Sequence, residues 1–251
     1  MAQTPERRAP IIVFEGIDGV GKSVQTRMLL EHFERQGVPA MQTGPYIATD
    51  ICRAIKPLVI GDGNVSPLTQ AALLIAGQME CGEAIRTSQA ADGTIAVMDR
   101  GWLSTLVYQG LAHQNPAVVQ LLLPNILKYA EFFRPPDLVV WLVMSPAAAH
   151  ARLEEARRGE RFKSRGVEWA QQLSHGYNAV YRANYWSEDN AQSGNDLWDA
   201  ALRTFSWDDR DSLSVTLLGE KQAILDANQS PETVHKEVVA LVKRLVRHAT
   251  A

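Results

Sequence analysis

Residues 14–23 read Phe-Glu-Gly-Ile-Asp-Gly-Val-Gly-Lys-Ser. Gly16-x-x-x-x-Gly21-Lys22-Ser23 is a complete phosphate-binding loop (P-loop) pattern. An apolar, β-branched run at 11–14 precedes it and suits a buried parallel strand. "SVQTRMLLEHFERQG" follows with helical periodicity and closes at Gly37, a C-cap residue. Strand, glycine loop and helix in that order leave few folds open. Glycines let backbone N–H groups turn inward towards phosphate oxygens. The helix start at Lys22 adds the positive end of its dipole. Gly16, Gly19, Gly21, Lys22, Ser23 and Val24 are therefore candidates for binding ATP. Lys22 is expected on the β- and γ-phosphates, and Ser23 as an oxygen donor to Mg²⁺. Asp18 is the misfit, a carboxylate inside a loop that holds anions.

The rest of the chain alternates strands with helices. "VPAMQT", residues 94–99, "LVVWLV" and "AILDA" are further strand candidates. Helical patterns run over 50–60, 67–91, from 100 to 133, over 145–158 and over 166–186. "GDGN" marks a turn between the first two. Ser-Pro opens two helices, at 145–146 and 230–231, as N-cap and N1. This alternation predicts an α/β three-layer fold, a parallel sheet flanked by helices, with ligands beyond the carboxyl ends of the strands. The whole chain, 1–251, is expected to form one domain. Residues 187–220 read as a polar, irregular insertion.

Asp99 and Arg100 form a second constellation at a strand end. An Asp there, near a P-loop, suits Mg²⁺, directly or through water, and the Arg suits a phosphate clamp. A third feature is the basic run "ARRGERFKSRG", with Arg157, Arg158, Arg161, Lys163 and Arg165. It reads equally as a solvated face or as a glycine-bounded lid over 158–166.

Composition excludes little but does exclude something. The net charge of −3 gives no sign of a nucleic-acid partner. The apolar runs are too short to span a bilayer. The N-terminal ten residues are polar and Pro-bearing, unlike a signal peptide. Two cysteines, Cys52 and Cys81, make no disulfide framework and fit a reducing cytoplasm. No HExxH or clustered Cys/His set appears. An acceptor that is already a phosphate monoester needs no general base, because it is largely dianionic at neutral pH. What such a transfer needs is cations to bring two polyanions together.

Taken together, "FEGIDGVGKS", "DRGWLSTLVYQG", "RPPDLVVWLVMSPAAAHARLEEARRGER" and "ILDANQSPETVHKEVVALV" resemble the thymidylate kinase family of nucleoside monophosphate kinases. The pieces stand in the family's order and cover most of the chain outside 41–80 and 187–220. The resemblance implies a five-stranded parallel sheet, transfer of the ATP γ-phosphate to dTMP with Mg²⁺, and a homodimer. It places Lys22 and Ser23 on ATP and Mg²⁺, Asp99 on Mg²⁺ and the reacting phosphates, and Arg100 on the acceptor phosphate. It places Asp18 on the acceptor's 3′-hydroxyl, Ser104 and Thr105 at the pyrimidine edge, and Tyr108 against the deoxyribose, with Gln109 nearby. Some family members carry an arginine where this chain has Gly19, and others supply it from the lid. That favours the lid here, with Arg158 and Arg161 as its catalytic candidates.

Two segments depart from the family's pattern. An Arg-Glu-Pro-Gly-type segment is replaced by Thr43-Gly44-Pro45-Tyr46, which leaves Tyr46 on the acceptor side. Counting back from Asp99, the base-stacking aromatic and the base-reading arginine become Leu74 and Gln78. An arginine only donates hydrogen bonds, whereas a glutamine amide both donates and accepts. Three readings follow: a dTMP kinase, the same reaction on a different or modified deoxynucleotide such as a 5-substituted dUMP, or a non-catalytic nucleotide-binding regulator.

Overall fold

The computed structural model describes residues 9–60, 65–156, 165–183 and 214–249. The elements are β1 (Ile11–Glu15), α1 (Lys22–Arg35), β2 (Ala40–Thr43), α2 (Asp50–Ile60), α3 (Pro67–Asp92), β3 (Ile95–Asp99) and α4 (Trp102–Thr105). A π-helical turn (Leu106–Leu111) leads into α5 (Pro116–Phe132), β4 (Leu138–Val143), α6 (Pro146–Ala156) and α7 (Gly166–Ala183). β5 (Lys221–Asp226) and α8 (Pro231–Ala249) complete the chain.

The strands form one five-stranded sheet in the order β2-β3-β1-β4-β5, and every pairing is parallel. Central β1 is buried throughout, as a strand covered on both faces must be. Its side chains alternate between two cores. Ile12 and Phe14 join Ile95 and Val97 on one face. Ile11 and Val13 join Ala96 and Met98 on the other, against Cys81 and Ile85 of α3. Those two faces make the three layers that the alternation of elements predicts.

The boundaries follow local chemistry. Ser66, Asn115, Ser145 and Ser230 each accept a backbone N–H three residues on, at 3.2, 3.3, 3.2 and 3.2 Å. Pro follows each N-cap at N1 in α3, α5, α6 and α8. Gly37, at φ 65°, lets the chain leave α1 in a left-handed conformation.

Two expectations change. The helical pattern over 106–111 folds as a π turn, with Ala112 N–H donating to the Val107 carbonyl five residues back at 2.9 Å. Residues 214–218, read as part of an irregular insertion, are helical, and Leu217 and Leu218 are buried in the main core. The "GDGN" turn and residues 187–213 lie outside the described residues.

Candidate active site

The β1–β3 register assembles the site. Phe14 lies opposite Asp99, and Arg100 N–H donates to the Phe14 carbonyl at 3.1 Å. The glycine loop leaving β1 and the turn leaving β3 are therefore side by side. Gly16, Gly19 and Gly21 have φ of 137°, 87° and 95°, values that L side chains rarely adopt. A Cβ on Gly16 would come within 2.5 Å of the Leu142 carbonyl oxygen, and one on Gly19 within 2.1 Å of the Ala149 carbonyl oxygen on α6. The loop is a backbone cradle with no room for side chains at those two positions.

Lys22 opens α1 and is 5% exposed; its Nζ donates to the Ile17 carbonyl at 2.7 Å. Burial, then the nearby Arg100 guanidinium, push its ammonium down to about 8, against the pull of Asp18, Asp99 and Glu15. Ser23 Oγ donates to Asp99 Oδ2 at 2.5 Å, which ties the first turn of α1 to the end of β3. Val24 is half-buried beside them. A hydroxyl and a carboxylate oxygen at the mouth of a glycine cradle are hard donors of the kind that suits Mg²⁺, which keeps much of its water shell. Among the described residues no cluster of three or more His, Cys, Asp and Glu could hold a metal by itself, so Ser23 and Asp99 are the donors that fit.

Arg100 is the hub. Its φ is 77°, unusual for a residue other than glycine. Nη2 pairs with Asp18 Oδ1 and donates to the Tyr108 hydroxyl at 2.8 Å. Nη1 lies 3.2 Å from the Gly16 carbonyl, 3.0 Å from Ser104 Oγ and 3.4 Å from the Tyr177 hydroxyl. The guanidinium also sits 4.4 Å from the centroid of the Tyr108 ring. Asp18 thus lies against a cation, which explains how a carboxylate is tolerated beside a phosphate cradle. Burial pushes the Tyr108 hydroxyl well above its usual range, so it stays protonated. Gln109 follows Tyr108 in the same π turn.

α3 meets the α4 turn beside the site, with α2 packed behind it. Gln78 is 1% exposed, and its Nε2 donates to Thr105 Oγ1 at 3.2 Å. Among the described residues its Oε1 has no hydrogen-bond partner. Leu74, one turn earlier, packs against Ile55 and Val59 of α2, with Tyr46 beside them. Tyr46 is close enough to feel Arg100 and Asp18, although burial dominates and pushes its hydroxyl up to about 12. Gly77 lets the Pro45 backbone approach α3, since a Cβ there would be 2.8 Å from the Pro45 oxygen.

The structure brings together Asp18, Lys22, Ser23, Asp99, Arg100 and Tyr108, and sets Gln78 beside Thr105. Ser104 departs from its expected place at the pyrimidine edge. Its hydroxyl is turned inward and hydrogen-bonded to Glu15 Oε2, with the Tyr177 hydroxyl 2.6 Å away. A buried carboxylate needs donors, and Ser104 is one of them. Arg158 and Arg161 lie outside the described residues. Arg165 lies over Trp169, 4.7 Å from its ring centroid, with Nη1 3.4 Å from His113 Nε2. Sequence reading missed Glu15 and Tyr177. An acidic residue closing an apolar strand just before the loop was a signal for Glu15. Tyr177, in the middle of α7, had none.

A parallel sheet whose central strand feeds a glycine cradle, with Lys, Ser, Asp and Arg converging on it, defines a phosphotransferase of the P-loop class. Residues 14–199 match the thymidylate kinase family. A thymidylate kinase of Symbiobacterium thermophilum is 36% identical over 178 residues, covering 68% of this chain and 79% of its own. One from Albidiferax ferrireducens is 30% identical over 171 residues, covering 66% and 79%. One from Chlorobium limicola is 23% identical over 244 residues, covering 93% and 94%. The chain belongs to the thymidylate kinase family and is a nucleoside monophosphate kinase. Its phosphoryl donor is ATP and its cofactor Mg²⁺. Among the described residues, no helix is long and apolar enough to cross a membrane.

Proposed function

We propose that this enzyme phosphorylates dTMP to dTDP. One observation carries the reading: the loop carboxylate Asp18 and the β3-end cation Arg100 are paired, so the two halves of the site form one surface. Relatives that share this chain's sequence are thymidylate kinases. In this reading Lys22 binds the β- and γ-phosphates, and Arg100 binds the acceptor phosphate. Asp18 accepts the acceptor's 3′-hydroxyl, and the Tyr108 ring lies against the deoxyribose. Thr105 and Gln78 face the base. An oxygen of the acceptor phosphate attacks the γ-phosphorus, the bond to the β-phosphate oxygen breaks, and ADP leaves. No side chain has to remove a proton from a dianionic phosphate. Ser23 and Asp99 would hold Mg²⁺, which when bound would supply charge neutralisation on the donor phosphates. Gly19 leaves the loop without an arginine, and Arg158 and Arg161 are the candidates to provide one. The whole chain, 1–251, would act as one domain, as a cytoplasmic homodimer, with 158–166 as its lid.

A second reading is the same reaction on a different or modified deoxynucleotide. The buried Oε1 of Gln78 is unpartnered, and leaving such an acceptor unpaired is costly. The N3–H of thymine would satisfy it, and so would a donor on another or a modified base, so this glutamine admits both readings. Product chromatography across deoxynucleoside monophosphates with ATP decides between them. Turnover of dTMP far above all others supports the first reading; a preferred acceptor other than dTMP overturns it in favour of the second. No ADP formed with any acceptor would refute both.

A further inference from the structure

Glu15, the last residue of β1, is 1% exposed. A carboxylate at that depth is costly unless several donors reach it. Gly101 N–H donates to its Oε1 at 2.8 Å and Ser104 N–H at 3.2 Å. Tyr177 donates to its Oε2 at 3.1 Å, and the Ser104 hydroxyl completes the set. The Gly101 and Ser104 amides begin α4, whose own N-cap, Gly101, has no side chain to offer. Glu15 therefore caps that helix from a neighbouring strand.

Tyr177 arrives from α7 and is likewise 1% exposed. Its ring is in the main core, near-parallel to Trp141 at 6.1 Å between centroids. Its hydroxyl alone enters the site. That oxygen lies 2.6 Å from Ser104 Oγ, 3.2 Å from the Gly16 carbonyl and 3.4 Å from Arg100 Nη1. Burial pushes it well above the usual tyrosine range, so the proton is retained. Its neighbours are the loop, the α4 cap and the guanidinium.

All of this surrounds one strained residue. Arg100 has a left-handed backbone, a conformation that persists only where surrounding contacts over-determine it. Its amide is held by β1, the residues after it by Glu15, and its Nη1 by Gly16, Ser104 and Tyr177.

We infer that Glu15, Ser104 and Tyr177 form a buried positioning unit that locks the Arg100 turn and aims the guanidinium at the acceptor's phosphate. The inference rests on the proposed contact between Arg100 and that phosphate. None of the three is a catalytic residue; each acts through Arg100. The unit links α7, which follows the basic run, to the phosphate site through the Tyr177 hydroxyl.

Tyr177→Phe removes that hydroxyl and keeps the ring in the core. Steady-state kinetics with dTMP and ATP, beside thermal unfolding, test it. The KM for dTMP should rise about fivefold, the effect of one lost hydrogen bond, while the KM for ATP stays within about twofold. Ser104→Ala should reproduce the split, and Ser104→Thr, which restores a hydroxyl, should reverse most of it. A fall in melting temperature with the KM for dTMP unchanged would show Tyr177 to be packing alone and would overturn the inference. So would an equal rise in both KM values. Arg100→Ala separates this from the reading beneath it. If Arg100→Ala leaves the KM for dTMP unchanged, the assignment of Arg100 is wrong. If Arg100→Ala raises it and Tyr177→Phe does not, only the positioning unit fails.

Discussion

Around the phosphate loop the polar groups already face one another: Ser23 meets Asp99, Asp18 meets Arg100, and Glu15 meets Gly101, Ser104 and Tyr177. Across the site Gln78 makes one bond, to Thr105, and keeps an unpaired buried oxygen. Leu74, one turn earlier, is buried against Ile55 and Val59 of α2. The phosphate side is organised before any ligand arrives, which favours electrostatic stabilisation of a transferring phosphoryl group. In the proposed reading, Gln78 keeps an acceptor that an incoming base could complete. If the proposed reading holds, chemistry and selectivity fall to different sides of the site, and variants on each should separate them.

The largest effect is expected on the phosphate side. Lys22→Ala should lower kcat on the order of a thousandfold while circular dichroism shows the fold intact. Retention of more than a tenth of the activity would mean that the cradle does not depend on this cation. A smaller effect is expected on the base side. Leu74→Phe with Gln78→Arg should shift relative kcat/KM towards dTMP over other acceptors by about tenfold, the scale of pocket discrimination, with little change in the KM for ATP. Unchanged relative kcat/KM would remove Gln78 and Leu74 from the base wall.

The smallest effect is a pH dependence. With the Lys22 ammonium lowered to about 8, ATP must hold the proton that the free enzyme begins to lose. Affinity for ATP should be flat below that pH and weaken above it, by at most about tenfold per unit. In the ligand-free protein the sign is opposite. The cost of the buried charge is fully present below pH 8 and lifts as the pH rises towards the usual lysine range, so stability increases over that window. Calorimetric titration from pH 7 to 9.5 checks the first statement. Lys22→Arg, which cannot lose its charge in this range, should flatten the profile.

Most of the fold was legible because its signals are local. The β-branched run before the glycine loop, the Ser-Pro helix starts and Gly37 each act within a few residues. The site was legible where it is written in contiguous motifs, from Gly16 to Ser23 and at Asp99 and Arg100. Four features were not. A π turn has nearly the periodicity of an α-helix, so 106–111 showed no break. The inward turn of Ser104 depends on a buried carboxylate 89 residues earlier in the chain. Tyr177 reaches Arg100 from 77 residues away, by a register of α7 that no pattern in its own sequence announces. The helix at 214–218 escaped because two leucines inside a polar stretch are too few to set a period.

Gly19 lies with its missing Cβ only 2.1 Å from the α6 backbone. An arginine there is a single codon change away, yet its Cβ would run into the backbone of α6. Any side chain at this position would require α6 to move first. Position 19 is thereby closed to a charged side chain, and a further cation beside the cradle has to be supplied from another part of the chain.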